Sequence, residues 1–176
     1  QVVHLLDLLR DHVGWERLGD RLMTSMKGLR VAPYYGCLLL RPQKEIMLDD
    51  PDRPQILERF LESLGCEVVD FPYKTECCGS FLSVGAEEVA TEISHRIVES
   101  AVRRGAEAIV GTCPLCQFNL DNRQRQMSER YKSFRRIPVL YFTQLLALGL
   151  GVARESLGLD QHHVDPRPLL SKKRLI

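Results

Sequence analysis

A repeated order of short β-branched run, loop, amphipathic helix and closing glycine constrains this chain more than any other feature. The segment 28–36, Gly-Leu-Arg-Val-Ala-Pro-Tyr-Tyr-Gly, predicts a strand that ends in a loop at Cys37. Ile56, Leu57, Phe60, Leu61 and Leu64 trace one face of a helix, which Gly65 closes. A second strand is predicted over 66–71; it leads through Pro72 to Glu76 into the adjacent pair Cys77 and Cys78. Val89, Ile93, Ile97 and Ala101 mark a helix from about residue 86 to 104, stopped by Gly105. A third strand, 106–111, runs into Cys113-Pro114-Leu115-Cys116, where Pro114 suits a first helical turn because its missing N–H costs nothing there. A last strand is predicted at 138–142 and a last apolar helix at 143–151. At the other end, Val2, Leu5, Leu6, Leu9 and Val13 recur at helical spacing up to Gly14, followed by a turn-rich stretch. Residues 41–52, with Pro42 and Pro51, read as a loop.

Strands alternating with helices across short connections predict an α/β fold, a small parallel sheet with helices on both faces. In that fold Cys37, the Cys77/Cys78 pair and Cys113 each follow a strand, so the cysteines belong at the carboxyl edge of the strands. Open α/β sheets bind ligands at that edge.

The chain's 176 residues suit a single domain with a proper apolar core and no need of a disulfide scaffold. Lys plus Arg, 24, nearly balance Asp plus Glu, 23, so the whole-chain charge gives no reason to expect nucleic acid or a membrane surface as partner. No transmembrane segment is expected, since no apolar run approaches the roughly 18 residues such a helix needs. A reducing, cytoplasmic compartment is the expectation, and there clustered cysteines point to metal ligation or redox chemistry rather than to structural disulfides. The first residue is Gln1, not Met, which suggests part of a longer polypeptide with a partner domain upstream.

Taken alone, Cys-Pro-Leu-Cys serves zinc sites, thioredoxin-like dithiols and iron-sulfur clusters equally. A dithiol would leave Cys77 and Cys78 without a purpose at the same edge. Zinc wants four ligands in a tetrahedron, and consecutive side chains converge poorly on one small ion. A cluster presents several irons, so neighbouring thiolates can ligate different ones. The residues favour an iron-sulfur cluster, with zinc as the alternative.

The order C-x39-C-C-x34-C-x-x-C, with Gly79 after the pair, resembles the CCG domain of the heterodisulfide reductase B subunit family. Glu76-Cys77-Cys78-Gly79, Thr112-Cys113-Pro114-Leu115-Cys116-Gln117-Phe118-Asn119-Leu120, Pro138-Val139-Leu140-Tyr141-Phe142-Thr143-Gln144-Leu145-Leu146 and Leu157-Gly158-Leu159-Asp160 carry the likeness, which spans almost the whole chain. Ser80 stands where that family often has a second glycine. The resemblance implies that residues 1–176 form one CCG domain, the second of two in the full-length subunit. It implies a non-cubane 4Fe-4S cluster held by Cys37, Cys77, Cys78, Cys113 and Cys116, through which those residues would serve catalysis. The implied substrate is a small-molecule disulfide, the mixed disulfide of coenzyme M and coenzyme B. The implied partners are a ferredoxin-like C subunit, a flavin-bearing A subunit and an upstream CCG domain. Similar domains also occur in electron-relay subunits of lactate, glycolate, glycerol-3-phosphate, succinate and fumarate redox complexes. A structural zinc module is the more distant alternative.

Other conspicuous residues have plainer readings. Cys66 starts a strand at the end away from the other thiols and reads as core. His162 and His163 read as a solvated loop, His95 as a helix residue facing water, and His4 and His12 as carrying no signal. Tyr34 and Tyr35 either shield a cluster or simply fill the core. Lys74 and Thr75 read as loop residues within reach of sulfur or an anionic substrate. Lys172, Lys173 and Arg174 read as a solvated tail or subunit contact.

Overall fold

The computed structural model describes residues 3–176, and Val2 of the opening helical pattern lies outside them. The chain opens with α1 (Leu5–Leu8), whose N-cap is His4; its Nδ1 accepts the Leu6 N–H at 3.2 Å. A single π-helical turn, Leu9–Val13, carries the backbone to Gly14. Here the expectation of a turn-rich stretch needs correcting: Gly14, at φ 83°, ends one helix and immediately precedes another, α2 (Trp15–Asp20).

The strands fall where the sequence places them. They are β1 (Arg30–Tyr34), β2 (Glu67–Val68), β3 (Ala108–Gly111) and β4 (Val139–Tyr141). All pairings are parallel, in the order β2-β1-β3-β4, with Val31 opposite both Val68 and Ala108 and Ile109 opposite Val139. Between strands run α3 (Gln43–Ile46), α4 (Ile56–Ser63), α5 (Glu87–Arg103), α6 (Pro114–Asn122) and α7 (Gln124–Arg130). After β4 come α8 (Phe142–Gly149) and α9 (Arg167–Lys172). Among the described residues no helix is long and apolar enough to cross a membrane.

Because side chains alternate across a strand, consecutive residues enter different cores. Val31, Tyr35, Ala108, Val110 and Leu140 face a core shared with α4 and α8, where Phe60 and Phe142 meet edge to face. Ala32, Tyr34, Ile109 and Val139 face the other, shared with Ile97, Val98 and Ala101 of α5 and Leu120 of α6. The helices therefore cover both faces, as expected. On α5 the buried face keeps Ile97 and Ala101 of the apolar spacing, with Ile93 packed partly buried beside them, but it leaves out Val89. Val89 is 49% exposed, while Ala90, Thr91, Ser94, Ile97, Val98 and Ala101 are buried, because two polar residues occupy core positions there.

The carboxyl-terminal segment is pinned rather than loose. Asp121, buried in α6, accepts the N–H groups of His163 and Val164 at 2.7 and 3.1 Å. Lys173 pairs with Glu107 at 2.7 Å, so the basic tail is in part an anchor on the sheet.

Candidate metal centre

Cys37 lies in the turn after β1, and Cys77 and Cys78 follow the loop after β2. Cys113 is the N-cap of α6 directly after β3, and Cys116 sits in that helix's first turn. The parallel order of the strands brings all five to one edge. All six cysteines are free thiols. The Cys78 and Cys116 sulfurs are 3.4 Å apart, while Cys77 lies near enough to Cys37, and Cys113 to Cys116, to make those thiols less acidic. The structure thus brings together all five cysteines singled out from the sequence. It leaves Cys66 apart, buried in the opposite core at 7% exposure.

The thiols differ in acidity. Hydrogen bonding from Cys116, helped by the Ser80 backbone and the Asn119 side chain, brings Cys78 down to about 6 against the cost of burial. Cys116, facing that sulfur and buried, is pushed far up. Burial first, then the bond with Cys77, raises Cys37. Burial alone pushes Cys66 up to about 12. In the native protein Cys66 is accordingly expected to resist iodoacetamide at pH 8 and to react once denaturant is added, which peptide mass mapping reads directly.

Glycines let the backbone reach the sulfurs. Gly36 has φ 68°, and a Cβ there would stand 3.0 Å from Cys116 Sγ and 3.6 Å from Tyr34 Cε1. Gly79 has φ 78°, and its N–H donates to Cys77 Sγ at 3.4 Å. Ser80 begins the 3-10 turn Ser80–Leu82 without a positive φ, so a second glycine is not needed.

The two tyrosines divide. Tyr34 is fully buried on the thiol side, and its hydroxyl donates to the Glu76 carbonyl at 2.6 Å, fixing the residue before the cysteine pair. Burial, and after it the nearby thiols of Cys116, Cys78, Cys77 and Cys37, push its pKa far up, keeping the phenol protonated. Tyr35 points to the opposite core and donates to Glu58 while accepting the Leu57 N–H at 3.0 Å. Lys74 is taken up by Glu58 at 2.8 Å and Asp70 at 2.9 Å; its ammonium is committed to neither sulfur nor substrate.

Sequence reasoning missed the polar support. Asn119 Nδ2 and Ser94 Oγ both donate to the Cys78 carbonyl, at 2.8 and 3.0 Å. Arg123 is buried behind Asn119. The reading of His162 as solvated is also overturned. Its side chain is 3% exposed, with Gln144 Nε2 at 2.9 Å and Gln117 Nε2 at 3.4 Å from its ring nitrogens. His95 is likewise not simply in water; it stacks on Tyr131 at 3.6 Å between ring centroids. The Asn119 motif is visible in the sequence, whereas its role requires knowing that α5 and α6 touch.

Among the described residues no three or more His, Cys, Asp or Glu side chains are already gathered as ligands of a metal ion. What is gathered is one close sulfur pair, Cys78 and Cys116, with Cys37, Cys77 and Cys113 near it. That arrangement, with soft donors, N–H groups aimed at sulfur and a bare Gly36 beside Cys116, fits an iron-sulfur group spread over several positions better than one tetrahedral ion. Leu38, Phe81, Leu115 and Phe118, each one to three residues from one of these cysteines, are exposed apolar side chains.

The model of the CCG cysteine-rich domain matches residues 31–121. The chain is 34% identical over 169 residues to the 8-methylmenaquinol:fumarate reductase membrane anchor subunit of Wolinella succinogenes, covering 96% of this chain and 59% of that protein. It is 31% identical over 174 residues to the B subunit of the ferredoxin:CoB-CoM heterodisulfide reductase of Methanosarcina mazei, covering 98% and 58%. The chain therefore spans less than two thirds of the length of these relatives. A solved structure, a hypothetical protein from Helicobacter pylori, shares the fold with a TM-score of 0.69 at 16% identity, covering 93% of this chain and 28% of that one.

Proposed function

Since the chain belongs to the CCG cysteine-rich domain family, we propose that it is the iron-sulfur domain of a heterodisulfide-reductase-like oxidoreductase, working in the cytoplasm on a small-molecule disulfide. The observation that carries this reading is the convergence of Cys37, Cys77, Cys78, Cys113 and Cys116 on one sheet edge as free thiols, with the Cys78 and Cys116 sulfurs 3.4 Å apart. Those five residues would hold a 4Fe-4S cluster of the non-cubane type. When bound, such a group supplies electrons one at a time.

The protein's own residues do the rest. The thiolates of the five cysteines bind and orient the group. Tyr34 closes the floor beneath them and, through Glu76, holds the Cys77/Cys78 loop in place. Gly79 donates an N–H to Cys77 sulfur, which favours a negatively charged sulfur there. The exposed apolar side chains of Leu38, Phe81, Leu115 and Phe118 offer a dry contact for an upstream CCG domain, so that the disulfide would lie between two such edges. A ferredoxin-like C subunit and a flavin-bearing A subunit would complete the electron path. That the matched region covers only 59% and 58% of these relatives supports a second domain on the same polypeptide.

One relative favours a second reading, in which the domain relays electrons between a flavoprotein and a quinone, because the Wolinella succinogenes protein is a subunit of a menaquinol:fumarate reductase. Anaerobically purified protein is expected to be brown and to contain iron and acid-labile sulfide in similar amounts, with a paramagnetic signal on oxidation or reduction. Colourless protein with roughly one zinc per chain would overturn the cluster. If the complex with its partner subunits reduced a quinone analogue but left the mixed coenzyme disulfide intact, the relay reading would replace the first.

A further inference from the structure

Arg123 is the one cation among the buried polar and charged side chains of the described residues, at 5% exposure, and its surroundings are mostly neutral. Its Nε donates to Asn119 Oδ1 at 2.6 Å. Its Nη1 donates to Thr91 Oγ1 at 3.0 Å, to Gln126 Oε1 at 3.3 Å and to the Glu87 carbonyl at 3.4 Å. The one carboxylate at hand is that of Glu87, 3.6 Å away and 60% exposed to solvent. A buried guanidinium so weakly compensated is costly, and its field extends far in a low-dielectric interior.

That field is directed at the thiol set. The amide whose oxygen Arg123 grips presents its nitrogen to the Cys78 carbonyl at 2.8 Å and to Ser94 Oγ at 3.1 Å, and Ser94 Oγ donates to the same carbonyl at 3.0 Å. Polarisation along such a chain strengthens each bond in turn. A set of five thiolates concentrates negative charge at this edge, and any electron added there adds more. A buried positive charge two hydrogen bonds from Cys78 favours the reduced state, and an acid at the outer end of the chain opposes it.

We propose that Arg123 and Asn119 form a relay from Glu87 to Cys78 that raises the reduction potential of the redox group held by the five cysteines, with Arg123 and Asn119 as positioning residues. The proposal rests on the cluster reading above and adds to it the groups of this chain that tune it.

The test is a redox titration followed by electron paramagnetic resonance on the anaerobic complex carrying Arg123→Gln or Glu87→Gln. Arg123→Gln is expected to lower the reduced-to-oxidised ratio at a fixed potential about tenfold, a shift of about 59 mV for a one-electron couple. Glu87→Gln is expected to raise that ratio, by about twofold because the group is exposed, and by less as salt is added. Opposite signs from two uncharged substitutions in one network mark an electrostatic relay. Arg123→Gln protein that melts earlier or holds less iron, yet titrates at the wild-type potential, would reduce Arg123 to a structural role and overturn the relay. Shifts of the same sign would do the same. If Arg123→Gln does not fold, Glu87→Gln decides alone, an upward shift supporting the relay and no shift ending it. Wild-type protein without iron or sulfide would end the cluster reading, and the relay with it, before any variant is compared.

Discussion

Cys78→Ala and Cys116→Ala are each expected to reduce bound iron and sulfide to below about a tenth of the wild-type content, while Cys66→Ala leaves both unchanged. The two sulfurs face each other at 3.4 Å at the buried centre of the set, so losing either removes a donor and opens the position its neighbour leans on. Cys66 lies in the opposite core, beyond the sheet, and removing its sulfur costs packing alone. Anaerobic iron and sulfide analysis beside a circular dichroism melt separates the outcomes. The fold should survive all three changes, because neither core is built mainly from cysteine. Equal iron loss in all three variants would mean that the thiols act through general stability and not as ligands.

Gly36→Ala is expected to do nearly as much harm without touching a cysteine. Two costs combine. The φ of 68° strains any side chain by about 1–2 kcal/mol. The new Cβ would also stand 3.0 Å from Cys116 Sγ, a sulfur held by the first turn of α6, and 3.6 Å from the buried Tyr34 ring. The approach to Tyr34 is ordinary contact, but the buried Cys116 sulfur must give by a few tenths of an ångström, which moves it out of register with its partners. Gly28→Ala supplies the control, since its φ is 81° but nothing lies within 4 Å of an added Cβ. It should lower the melting temperature by a similar strain and keep its iron. Iron loss at Gly36 alone assigns the effect to the contact with Cys116.

The sheet, its strand order of thiols and the five-cysteine set are legible in the sequence because their signals are local. β-branched runs, closing glycines and cysteines at strand ends each announce themselves within a few residues. What stays hidden depends on contacts distant in sequence. Thr91, Ser94, Asn119 and Arg123 are polar and carry no local signal of burial, but they satisfy one another across α5 and the end of α6 and so can occupy core positions. His162 reads as loop surface because its neighbours are polar, yet Gln117 and Gln144 enclose it from two other helices. The helix α2 is hidden by Gly14, which ends one helix but in this chain also turns the backbone into the next. Apolarity alone puts Val89 in the core, while the helix in fact turns Thr91 and Ser94 inward.

Tyr34 and Tyr35, one peptide bond apart, look into separate compartments of the molecule; the first shares its compartment with Cys78, Cys113 and Cys116, the second with Cys66. This makes the domain divisible for an engineer. The side that holds Tyr35, Phe60, Phe142 and Leu148 can be screened for tighter packing and greater heat resistance as an independent variable, with the sheet acting as a partition. Heat resistance could in this way be raised through one compartment, while the thiol edge served by the other is left untouched.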